Sequence, residues 1–205
     1  MKQCFMVWAA VVSGALSAAS PVVAGTIDTA WLERAWPGQR EHTYEVGKAE
    51  VHWRQKVSAQ EGIFAGARFI APLELERTWR LSSDYSDLGA MTPGVTAVRV
   101  LEHTPTRQVI EVDVKVLWKS VRLYFEMEQE PPEALRFRMN TPALGDYLGV
   151  ARLRPVSPGQ TEIKLSTWLS PPARVPRGLV IWIERGAILG GIRNFLKTCE
   201  HASPT

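Results

Sequence analysis

The chain has 205 residues, 45% of them hydrophobic and 22% charged, and carries a formal net charge of +3. This composition excludes a disordered chain, and the length suits a single domain that buries its core without disulfide or metal support. Basic and acidic residues interleave, as in VIEVDVKV over 109–116, so there is no basic patch for nucleic acid.

Residues 1–24 read as a cleaved signal peptide. Lys2 precedes an apolar stretch from Phe5 to Ala19, and Val22-Val23-Ala24 carries the small-residue pattern of a signal peptidase site before Gly25. Ser13, Gly14, Ser17 and Ser20 make the stretch a poor membrane span. The expectation is an exported protein, periplasmic or secreted, with an uncleaved N-terminal anchor as the alternative. Cleavage would leave 23 basic against 21 acidic residues and Cys199 as the single cysteine. Export therefore brings no disulfide framework, and Cys199 reads as a small buried apolar residue.

Residues 25–48 form a lead-in in which Trp31, Leu32 and Ala35 line one face of a short helix stopped by Pro37-Gly38. From Ala49 the period is two, with Ala49, Val51, Trp53, Gln55 and Val57 on one face. The turn signal Gln60-Glu61-Gly62 and a second strand from Ile63 to Ile70 complete a hairpin, and Ala71-Pro72 ends it. Leu73 to Leu81 fits a helix with Leu75, Thr78 and Trp79 on its apolar face. Ser83 or Asp84 caps a second short helix through Leu88, and Pro93-Gly94 breaks it.

Six further strands follow, over 96–102, 108–118, 121–129, 134–140, 147–155 and 161–169, separated by short turn signals that imply an antiparallel meander. Ile110, Val112, Val114, Val116 and Trp118 share a face continued by Val121, Leu123, Phe125 and Met127. Leu135, Phe137 and Met139, then Ile163, Leu165, Thr167 and Leu169, extend it, whereas Trp168 takes the opposite phase. Such a face needs a cover, and the final helix, Arg177 to Glu200, supplies one through Ile181, Ile188, Leu189, Ile192, Phe195, Leu196 and Cys199. Arg185 falls within that stripe by angular position. The fold class is α+β: a curved antiparallel sheet wrapped around a long C-terminal helix, with two short helices after the first strands.

The run FIAPLELERTWRLSSDYSDL…MTPGV, followed by VRVLE, resembles the START-like (SRPBCC) superfamily, in its polyketide cyclase/dehydrase and coenzyme Q-binding branch. The matching positions are Phe69-Ile70, Ala71-Pro72, Trp79, Asp84-Tyr85 and Pro93-Gly94. The resemblance covers residues 49–200, leaving 201–205 as a tail, and implies the helix-grip fold with a cavity for a lipid, quinone, polyketide or other apolar molecule. It supplies no shared catalytic residue.

The walls of that cavity are expected among Trp79, Tyr85, Val114, Trp118, Phe125, Phe137, Met139, Leu165 and Ile188, each of which packing alone would also explain. Arg185 is the polar candidate, holding a carboxylate, phosphate or quinone oxygen of the ligand. The competing reading sends its guanidinium to the edge or to a strand carboxylate, Glu126 or Glu128.

The four histidines form no metal motif, no cofactor fingerprint is present, and no nucleophile motif appears. The expected function is an exported binding or carrier protein for an apolar small molecule, touching a membrane transiently through the GLVIWI segment (178–183) during loading. One alternative is a cyclase or dehydratase using Tyr85, Tyr124, Tyr147 or Arg185. Another is a non-catalytic structural or interaction module with a filled core.

Overall fold

The computed structural model describes residues 26–34, 40–58, 61–84, 94–116, 119–141, 145–173 and 175–202. They form nine strands: β1 (His42–Val46), β2 (Ala49–Ser58), β3 (Gly62–Ala71), β4 (Val95–His103), β5 (Arg107–Val116), β6 (Lys119–Glu130), β7 (Ala134–Thr141), β8 (Gly145–Ser157) and β9 (Gln160–Ser170). Three helices accompany them: α1 (Ala30–Arg34), α2 (Leu75–Ser83) and α3 (Arg177–Ala202). The second short helix expected near 84–88 falls largely outside the described residues.

All strands join one antiparallel sheet in the order β1-β2-β3-β9-β8-β7-β6-β5-β4. Two meanders, β1 to β3 and β4 to β9, are stitched together where β9 lies against β3, with Ile63 opposite Leu169 and Ala71 opposite Thr161. The single crossover, from β3 through α2 to β4, carries the chain to the far edge of the sheet. This is the helix-grip architecture.

The lead-in expected over 25–48 contains a strand that the sequence pattern did not announce. β1 is only five residues long, and Tyr44 and Val46, opposite Val51 and Ala49, are too few to establish a period.

The expected inner face is found in register. Ile110 stands opposite Phe125, Val112 opposite Leu123 and Val114 opposite Val121, so one apolar phase runs through both strands. The main core gathers Val51 and Trp53 of β2, Ala65, Ala67 and Phe69 of β3, Leu153 of β8 and Ile163 of β9 beneath Ile188, Ile192, Leu196 and Cys199 of α3. Each large side chain buried there stabilises the fold by about 1.5–3 kcal/mol. The alanines of β3 let the helix approach closely. A smaller cluster, Ile63 with Val175 and Val180, seats the start of α3. A third cluster, Ile110, Val112 and Met127 with Val95, Val98, Val114, Phe125 and Phe137 around them, lies on β4 to β7 and contains no residue of α3.

The outer face is laced by ion pairs. Glu126, 4% exposed, accepts from both Arg107 and Arg138, and Arg152 pairs with Glu33 and Glu130. The N-terminal segment lies on this face. The Ile27 amide donates to Glu128 at 2.9 Å, and the Trp31 ring meets Phe64 and Trp168 edge-on. Trp168 is thus outward by phase but covered by the lead-in.

Candidate functional site

The buried positions of α3 are Val180, Glu184, Ile188, Ile192, Leu196 and Cys199, a series spaced by four residues until its last step of three. Glu184 occupies a place where every other member is apolar or a thiol, and it is 6% exposed. Arg185, which the sequence pattern places in the stripe, is instead half-buried at its flank, where Nη1 donates to the Tyr44 hydroxyl over a long 3.5 Å. Among the described residues no carboxylate pairs with Arg185. Glu126 and Glu128 are engaged on the outer face, by Arg107 and Arg138 and by the Ile27 amide respectively.

Glu184 meets the sheet at Thr167 of β9, with 2.9 Å between Thr167 Oγ1 and Glu184 Oε1. Thr167 stands between Ala65 of β3 and Gly149 of β8, whose missing side chain leaves a place that the Phe137 ring fills. The same hydroxyl oxygen lies 3.3 Å from the Ala65 carbonyl, which can only accept. A hydroxyl has one proton to donate, so both contacts are satisfied together when the carboxyl is protonated, donating to Oγ1 while Oγ1 donates to Ala65. The electrostatics agree. Burial pushes the Glu184 carboxyl up to about 7, against the opposing pull of the Thr167 hydroxyl. The second oxygen, Oε2, is buried and has no hydrogen-bond partner among the described residues.

Tyr147 of β8 completes the group. Burial first, and then the Glu184 carboxyl, hold its hydroxyl far above the ordinary tyrosine range, while a hydrogen bond with Thr167 acts in the opposite direction. Its ring lies 5.6 Å from that of Phe137. Phe137 in turn covers Gly149, where a Cβ would come within 2.0 Å of the ring. Phe137 therefore joins the Glu184–Thr167–Tyr147 group to the third apolar cluster.

The residues singled out from the sequence divide among these regions. Val114, Phe125 and Phe137 belong to the third cluster, and Met139 is buried opposite Tyr147. Trp79, Leu165 and Ile188 lie in the main core under α3. Tyr85 and Trp118 lie outside the described residues. Tyr124, an acid–base candidate from the sequence, stands instead on the outer face, hydrogen-bonded to Glu111. Glu184 was not among the sequence candidates, although counting in fours from Ile188 back to Val180 would have met it. Glu and Arg are adjacent there, and an apolar stripe about 100° wide does not separate them.

Two other features bear on the chemistry. An open cleft of about 700 Å³ on the outer side of the sheet is lined by Ile27, Glu33, Arg107, Glu128, Arg136 and Arg152. In its wall Arg152 pairs with Glu33, and Arg107 pairs with the neighbouring Glu126. Among the described residues no three His, Cys, Asp or Glu side chains converge to hold a metal ion.

The curved antiparallel sheet and the long helix it grips define a START-type fold. Residues 71–196 match the family model described as polyketide cyclase / dehydrase and lipid transport, and the chain belongs to that family. Among solved structures, the STAR-related lipid transfer protein of Xanthomonas axonopodis aligns at a TM-score of 0.63 with 14% identity, covering 78% of this chain and 98% of that one. The Zhui aromatase/cyclase of a Streptomyces species aligns at 0.61 with 14% identity over 67% of this chain and 93% of its own. A protein of Thermus thermophilus aligns at 0.61 with 19% identity, covering 69% and 99%. At these identities the likeness is one of fold. No curated protein matches the sequence.

Proposed function

We propose that the mature chain is an exported carrier for an apolar small molecule, such as a lipid, a quinone or a polyketide-like compound, held between the sheet and α3. The observation that carries this reading is the division of the inner face. α3 covers the β1–β3 and β9 side, whereas the cluster around Ile110, Val112 and Phe125 includes no residue of the helix. Partly buried apolar side chains at Val98, Val114, Phe125 and Phe137 are suited to closing around a ligand's apolar body. Family membership supports the same reading. Trp182, exposed beside the seated start of α3, is the side chain that would touch a membrane during loading.

Native mass spectrometry of the protein recovered with its own leader tests the proposal, together with organic extraction of the same sample. The expected result is a chain starting at Gly25 with a co-purifying apolar molecule. A chain that retains its leader removes the cleaved-signal reading in favour of the N-terminal anchor. A chain that carries nothing and takes up no lipid from liposomes removes the carrier reading.

A second reading, a cyclase or dehydratase, is favoured by one observation. The Glu184 carboxyl, poised near 7 beside Tyr147, suits general acid chemistry inside an apolar site. Single-turnover conversion of a poly-β-ketone substrate, lost in Glu184→Gln, would establish it. Binding without turnover leaves the carrier reading.

A further inference from the structure

We infer that Glu184, locked by Thr167, is the polar anchor of the ligand site and selects a ligand whose apolar body ends in an uncharged hydroxyl. The inference rests on the ligand-binding reading above and names what that ligand must carry.

Three observations support it. First, Glu184 Oε2 is buried and unpartnered while Oε1 is held by Thr167, so one oxygen is fixed and the other is left available. A buried polar atom without a partner is unfavourable, which a native fold tolerates where a partner arrives from outside. Second, the Phe137 ring lies over Gly149, the residue beside Thr167, so the third apolar cluster reaches the row on which the carboxyl stands. Third, Gln55 lies in the same cross-strand row, opposite Ala65, and its side-chain nitrogen is also buried without a partner among the described residues. Two orphaned polar groups on one inner row, with an apolar cluster beyond Phe137, match an amphipathic molecule with a small polar end.

The charge of that end follows from the neighbours. An anionic head would sit against the Glu184 carboxyl, while the guanidinium of the adjacent Arg185 is turned toward Tyr44. A neutral hydroxyl meets no such opposition. It donates to Oε2, which accepts whether the carboxyl is ionised or gives its one proton through Oε1 to Thr167.

Four fluorescent naphthalenes of similar shape test this on the purified full-length protein: 2-naphthol, 2-acetonaphthone, 2-naphthoate and 2-ethylnaphthalene. The expected order places 2-naphthol about tenfold tighter than 2-acetonaphthone and 2-ethylnaphthalene, the worth of one buried hydrogen bond, with 2-naphthoate weakest. Glu184→Met should bring the three uncharged probes to one level, and Glu184→Gln should keep most of the preference. Thr167→Val, which frees the carboxyl without removing it, should reduce the preference even if Glu184→Met folds poorly. Binding of the uncharged probes with no preference for 2-naphthol, or a preference that survives both Glu184→Met and Thr167→Val, overturns the anchor and spares the carrier. Tightest binding of 2-naphthoate overturns it as well. Failure of every probe to bind overturns both readings.

Discussion

Thr167 of β9 and Glu184 of α3 meet at 2.9 Å across the layer between sheet and helix. This is a hydrogen bond between the two parts of the fold that grip each other, and it sits among apolar neighbours. Its consequences can be measured.

The first is a pH dependence. The folded Glu184 carboxyl titrates at about 7, above its ordinary 4.5, so the folded chain holds more protons than the unfolded chain between those values. Stability is therefore highest below the unfolded pKa and falls as pH rises through that window, by about 3 kcal/mol in all. Above it, the loss is complete. Urea unfolding of wild type and Glu184→Gln at pH 5 and pH 8 isolates this contribution. The difference between the two proteins should change by most of that amount, and an unchanged difference would show a carboxyl that stays ionised.

The outer face gives a second prediction. Glu126 is 4% exposed and accepts from Arg107 at 3.0 Å and from Arg138 on the neighbouring strand. Glu126→Ala leaves two guanidiniums crowded without their shared anion. A loss of about 3 kcal/mol is expected from chemical denaturation, the usual consequence of breaking a buried pair on one side. Arg136→Ala, next to the more exposed Glu130, should cost under about 1 kcal/mol.

Packing at Gly149 gives a third. The Phe137 ring occupies the space where a Cβ would stand, so Gly149→Ala forces the ring aside. The expected cost is about 1–3 kcal/mol. Phe137→Leu combined with Gly149→Ala should recover part of it in thermal unfolding, because the smaller side chain gives way. Equal losses in the single and double variants would mean that the ring is not the obstacle.

Cys199 gives a fourth. The side chain is fully buried, and burial pushes its thiol up to about 12, so at pH 8 it is neither reachable nor ionised. Peptide-resolved alkylation with iodoacetamide should leave Cys199 unmodified in the native protein and modify it fully in urea. Rapid native labelling would contradict the packing of the end of α3.

Much of the fold was legible because its signals are local. The phase of Ile110 to Val114 and of Val121 to Met127 announced both strands and their common face, and the register pairs those residues. The last helix begins at Arg177 as expected and runs two residues further, to Ala202. β1 escaped because two inward residues are not a period. The site was less legible. Val114, Phe125 and Phe137 were identified as apolar wall candidates and share one cluster, but the polar group they adjoin was not. Glu184 has the look of an ordinary charge in a helix, and its neighbour Arg185 shares the same angular sector.

What the sequence determined by itself was each element's type, its apolar face and the superfamily resemblance, since periodicity and turn chemistry act between residues close along the chain. The tertiary structure decided which faces meet. Alternation marks one side of β3 and of β9 but does not say that they lie together, and only that pairing puts Ala65 beside Thr167. A helix stripe spans several adjacent residues, so the direction in which α3 leans on the sheet selected Glu184 rather than Arg185 for burial. Desolvation then raised its proton affinity, because a carboxyl's pKa depends on what surrounds it and not on where it falls in the chain.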